Sequence, residues 1–157
     1  MKKKTTFGLL GLAAAGAAGA AGGWNAIGNY LYNRTMIPQV RDPDEEDANP
    51  VQTAGREWAR KREGFQEVTI QAMDGLILWA AMAPGREGCH RWALCMHGYH
   101  DTYESMGAIA RHYNDMGWHV LLPDQRGHGQ SEGDYVGWGY VERLDIVRWV
   151  NRIVRKD

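Results

Sequence analysis

The chain has 157 residues, a formal net charge of −1 and 24% charged residues. Such a balance lacks the clustered positive charge that nucleic acid demands, so no nucleic-acid partner is expected. Its two cysteines are too few for a disulfide scaffold; Cys95 reads as a small buried hydrophobe in Ala93-Leu94-Cys95-Met96, with a Cys89–Cys95 bridge as the alternative.

The chain opens with Met1-Lys2-Lys3-Lys4, and no charge follows from Thr5 to Asn33. A lysine cluster before an uncharged, apolar stretch is an export or membrane signal. Residues 1–36 are therefore expected to be a signal anchor, long enough to cross a bilayer, with Trp24, Tyr30 and Tyr32 at the far interface. The lysines then stay inside, and the rest of a single-pass cell-membrane protein faces outward. The alternatives are secretion after cleavage near Ala18-Gly19-Ala20, or a soluble flexible tail. Residues 37–64 read as a linker, with three prolines, an acidic run from Asp42 to Asp47, and room for a short helix. A hydrated spacer accounts for the acidic run better than a metal or partner site does.

The folded part is expected from Phe65 to Asp157. Val68, Ile70 and Ala72 alternate with polar residues, as in a half-buried strand. Asp74-Gly75 is a hairpin turn, and Leu76 to Ala83 is the return strand, stopped by Pro84-Gly85. Arg91 to Met96 is a short apolar run that suits a strand covered on both faces. Tyr103, Met106, Ile109, Ala110, Tyr113 and Met116 recur at helical spacing, with Asp101 or Thr102 as cap and Gly117 as stop. "WHVLLPD" is another buried strand. A last helix carries Val141, Leu144, Val147, Val150 and Val154 on one face, with Arg155 and Lys156 in its final turn. Strands alternating with helices predict a parallel α/β sheet with an antiparallel hairpin at its edge. Ligands of such sheets bind at the carboxyl ends of strands, where the loops His97–Asp101 and Asp124–Tyr135 begin.

Gly129-Gln130-Ser131-Glu132-Gly133 matches the G-x-S-x-G pattern of a serine nucleophile. The context does not fit. A nucleophile elbow is a tight strand-to-helix turn, whereas here the strand ends near Asp124 and further glycines precede any helix. Ser131 is expected to be a loop residue.

Taken together, "ALCMHGYHDTYESM", "GWHVLLPDQRGHGQSEG" and "GWGYVERLDI" resemble the front half of an α/β-hydrolase, in particular its membrane-associated, peptidase- or lysophospholipase-like bacterial members. The resemblance covers residues 65–157. It implies a loop after the third strand, His97-Gly98-Tyr99, whose Tyr99 main-chain N–H is one donor of an oxyanion hole, with Gly98 permitting close approach. It makes Asp124, Arg126, Gly127, His128 and Gly129 a supporting loop in which Asp124 and Arg126 can pair. It also implies that the nucleophile, the late acid and the late histidine are not in this chain, since no serine follows Ser131. A chain of this kind is expected to be a fragment, inactive alone, with its third strand lacking a neighbour and prone to aggregate.

No metal site is expected, because the His97 and His100 pair lacks partners at zinc spacing. No cofactor is expected either, since the glycines around Gly127 miss the dinucleotide fingerprint. The function implied is hydrolysis of a small ester or peptide through an acyl-enzyme in the full-length protein. The alternative is a non-catalytic, membrane-tethered half-domain that pairs with another chain.

Overall fold

A computed structural model describes residues 22–39, 49–61 and 63–155. The lysine cluster, the Ala18–Ala20 segment and the acidic run lie outside these residues. The chain divides into two compact units, Met1–Ile37 and Pro38–Asp157. In the first, helix α1 spans residues 22–35 and exposes Trp24, Ile27, Tyr30 and Leu31. Among the described residues no helix is long and apolar enough to cross a membrane.

The second unit starts with a helix inside the stretch expected to be linker. Helix α2 runs Pro50–Lys61. The sequence contains its start signal: the Asn49 side chain accepts the Val51 N–H at 2.9 Å, and Pro50 takes the first helical position, where no N–H is needed. Strands β1 (Gln66–Gln71) and β2 (Ile77–Ala83) follow as an antiparallel hairpin. Gly75 supplies the left-handed turn conformation, with φ +96°. Then come β3 (Trp92–Leu94), a 3₁₀ turn (Tyr103–Met106), α3 (Gly107–Asp115), β4 (His119–Pro123) and α4 (Glu142–Val154). The sheet order is β1-β2-β4-β3; only β3 and β4 are parallel, and β2 meets β4 antiparallel. The sheet is therefore mixed, with the hairpin at one edge as expected.

Both faces of β2 are covered, which explains its unbroken apolar run. Trp79, Ala81 and Ala83 join Ala93, Val120 and Leu122 in a core with Ala59 of α2 and Ala110 of α3. Leu78, Ala80 and Met82 join Val68, Leu121 and Trp149 of α4 on the other face. The α2–α3 contact is close because it is made by two glycines. A Cβ on Gly55 would run into the backbone of Ala108, and one on Gly107 into the carbonyl of Gly55.

Helix α3 ends as read from the sequence. Gly117 has φ +86°, and the N–H groups of Gly117 and Trp118 donate to the carbonyls of Asn114 and Tyr113. Its start differs. Neither Asp101 nor Thr102 caps α3; Asp101 pairs with Arg56 of α2 at 3.2 Å, and α3 grows out of the 3₁₀ turn. Ile109 and Met116, expected on its buried face, are exposed. Helix α4 departs further. Leu144, Val147, Val150 and Val154 are exposed, and the buried side carries Glu142, Asp145 and Trp149. Arg155 is its C-cap, and Lys156 lies outside the described residues. Cys89 and Cys95 are both free thiols; burial pushes the Cys95 thiol up to about 11.

Candidate functional site

The loops after β3 and β4 leave the same end of the sheet, because these strands are parallel. His97 fastens them together. Its Nε2 accepts the Gln125 main-chain N–H at 2.9 Å, and its Nδ1 lies 2.7 Å from the Gly98 carbonyl. A carbonyl can only accept, so Nδ1 carries the hydrogen and the ring is neutral. Burial pushes His97 down from 6.5 to about 4, and the neighbouring His128 adds to this. His97 thus holds the loop in place with both nitrogens. Next to it, Gly98 has open space where a side chain would stand, and Tyr99 is half exposed. A main chain there can be approached closely by a ligand.

The loop after β4 is built around Asp124, which is fully buried. One carboxylate oxygen accepts the Tyr103 N–H at 2.8 Å, the other the Gln130 N–H at 2.9 Å. Burial raises its carboxyl despite these two donors. Gly129 has φ +50°, and a Cβ there would collide with the Asp124 carboxylate. Gly127 is also left-handed, with φ +69°.

The expected Asp124–Arg126 pair does not form. Arg126, 2% exposed, is held instead by Asp145 of α4 at 2.7 and 2.9 Å and by Asp74 of the hairpin turn at 2.7 Å. The geometry explains why: both Asp124 oxygens are already committed to main-chain donors. The guanidinium is held even more firmly charged than usual by Asp145, and it depresses the Asp74 carboxyl through their hydrogen bond.

Ser131 is buried in the same loop. Its hydroxyl donates to the Asp124 carbonyl at 2.6 Å and accepts the Trp79 N–H at 2.9 Å. Glu132 adds a second tie to β2, its carboxylate accepting the Ile77 N–H at 2.7 Å. A nucleophile needs a base within hydrogen-bond reach. Here both hydroxyl functions go to main chain, which anchors the loop. The other serine, Ser105, donates to the Thr102 carbonyl.

The two loops and the start of α4 enclose a cavity of about 220 Å³ lined by His97, Gly98, Tyr99, His128 and Trp138, among others. Among the described residues no cluster could hold a metal ion. Nothing in the sequence singles out Gln125, Asp145 or Trp138; Asp74 has a signal there, but as a residue of the hairpin turn.

A mixed sheet in this order, with crossing loops at one end, is the front of an α/β-hydrolase fold. Residues 88–150 match the serine aminopeptidase S33 family. An esterase of Pyrococcus furiosus superposes with a TM-score of 0.54 at 22% identity, over 75% of this chain and 41% of its own. The protein DcsB, solved with an analogue of its substrate, gives 0.52 at 22% identity, over 57% and 31%. An α/β-hydrolase from Novosphingobium aromaticivorans gives 0.47 at 22% identity, over 57% and 32%. The chain thus spans less than half the length of these structures. No curated protein matches it.

Proposed function

We propose that this chain supplies the front half of a serine hydrolase that acts on a small ester or peptide through an acyl-enzyme. The Tyr99 main-chain N–H serves as one oxyanion donor, and the loop Asp124–Gly133 is the scaffold that fixes it. The observation that carries this reading is the His97 link between the two loops, which sets a rigid, open main-chain bend beside Gly98 at the sheet's carboxyl end. Fixed N–H donors of this kind contribute about 3–4 kcal/mol each to acyl transfer. The nucleophile would come from residues other than Ser131 and Ser105, whose hydroxyls serve the main chain. Tethering to the outer face of a membrane through the N-terminal segment fits the exposed apolar side chains of α1.

A serine-reactive phosphonate tests this. The 157-residue chain is expected to stay unlabelled, while the product of its native locus is labelled at a serine outside these residues. Labelling of the 157-residue chain that disappears in Ser131→Ala would make Ser131 the nucleophile. Absence of label from both would favour the second reading, a non-catalytic half-domain that pairs with another chain. That reading draws support from β3, which has no strand beyond it among the described residues.

A further inference from the structure

A groove of about 560 Å³ runs between the edge strand β1 and helix α4. None of its lining residues belongs to the His97 or the Asp124 loop. Its size lies within the roughly 300–1,000 Å³ of small-molecule sites. Ile70, on its β1 side, packs on the core around Trp149. The Arg148 guanidinium joins the two walls, donating to the Gln71 carbonyl at 2.8 Å. Further along, Arg126 gathers Asp74 and Asp145. The two ties show that β1 and α4 run in opposite directions. Met73 therefore lies at the Leu144 end of the groove, and Arg152 and Arg155 lie at the other.

The groove is thus segregated along its length. At one end Met73 is 70% and Val147 56% exposed, beside the partly exposed Leu144. Exposed apolar groups gathered in a groove with a polar rim mark a place for a ligand. At the other end stand Arg152 and Arg155, with Arg148 between the two ends. Among the described residues no carboxylate pairs with any of the three. Like charges at steps of four and three on one helix repel each other, and an anion bound among them relieves that repulsion. The dipole of α4 favours cations near its end, but it gives no reason for apolar side chains to stay exposed at the far end of the same groove.

We propose that this groove binds a single-chain anionic amphiphile. Its anionic head pairs with Arg152 and Arg155, whose forked N–H donors suit an oxyanion. Its hydrocarbon chain lies along Ile70 towards Met73, Leu144 and Val147. From Arg152 back to Leu144 the helix covers about 12 Å at ~1.5 Å per residue, a distance that a medium-length acyl chain spans. The site is built from the hairpin and α4, and binding needs no turnover, so it stands or falls separately from the hydrolase reading.

The test uses the full 157-residue chain with ¹³C-methyl-labelled methionine, titrated with decanoate below its micelle-forming concentration. The Met73 methyl signal, assigned by its loss in Met73→Leu, should move saturably. Decanol keeps the chain without the charge and should bind more weakly by about tenfold or more. Acetate keeps the charge without the chain and should leave the signal in place. In Arg152→Gln/Arg155→Gln the advantage of decanoate over decanol should vanish. Both arginines are exposed, so the methyl spectrum of the unliganded variant should otherwise match the wild type. Equal affinity for decanoate and decanol, tighter binding of decylamine, or a Met73 signal that stays still would overturn the proposal. So would a response to acetate equal to that to decanoate, or a preference for decanoate that survives in the double variant. Binding to vesicles of anionic lipid without any response to decanoate would also overturn it, making the groove a membrane-docking face instead. The wild-type comparisons decide even if the variant fails to fold.

Discussion

His97 is 4% exposed and neutral, and its two ring nitrogens serve two different loops. This makes it a source of acid sensitivity. Its folded value is about 4, against 6.5 ordinarily. Between these values the unfolded chain takes up a proton that the folded one refuses. Stability contributed by His97 is therefore complete above about pH 6.5 and lost as the pH falls towards about 4. The full effect is on the order of 3 kcal/mol. Asp124 opposes it, because burial raises its carboxyl and protonation then favours the fold. The urea midpoint of the wild type is expected to drop more steeply than that of His97→Gln between about pH 7 and about pH 4.5; equal slopes would remove His97 from the account. At this scale the sequence was informative about place and uninformative about partner. His97, Asp124 and Arg126 do meet at one end of the sheet. But Arg126 takes Asp145 and Asp74, residues that lie 19 and 52 positions away, and nothing local in the chain marks either as its partner.

Helices α2 and α3 touch through Gly55 and Gly107, with no room for a methyl group on either. Overpacking a contact of this kind typically costs about 1–3 kcal/mol. Gly107→Ala should therefore lower the denaturation midpoint by an amount in that range. Gly98→Ala, where open space surrounds the new methyl, should leave it nearly unchanged. Similar midpoints for the two variants would mean that the helices can move apart at little cost. The same contact bears on why the short helix that this stretch left room for has no clear start in composition. Asn49, Pro50 and Gly55 are loop-forming residues by composition, yet here they are a cap, a first helical residue and a contact point. The hairpin, β3, β4 and the Gly117 stop were legible because alternation, continuous apolar runs and a left-handed glycine each have a local cause. The face of α4 was not. Its valine stripe has the right period, but the sheet is met by Trp149, and Asp145 is drawn inward by Arg126.

For the whole folded unit, the sheet has two edges among the described residues, one formed by β1 of the hairpin, in which apolar residues alternate with polar ones, and the other by the apolar β3. The Cys95 N–H donates across to the Leu121 carbonyl of β4, so by alternation the Leu94 N–H faces the outer edge. An apolar strand with an open edge is a template for pairing with another chain. The 157-residue chain is expected to self-associate as concentration rises, read by light scattering. Leu94→Pro, which removes an outward N–H without touching the β4 ladder, should shift the population towards monomer, with circular dichroism confirming the fold. A monomeric wild type at all concentrations, or an unchanged distribution in the variant, would count against the edge.

The Arg126 cluster joins three parts of the chain, but its two arms differ in their access to water. The Asp145 side chain is 6% exposed and the Asp74 side chain 46%. Mobile ions reach the second far more readily than the first. Raising ionic strength therefore loosens the hairpin turn from the loop while α4 stays fastened to it. The first region to exchange its amide hydrogens in concentrated salt should be the turn around Gly75, well before the loop that Asp124 and Ser131 hold from inside.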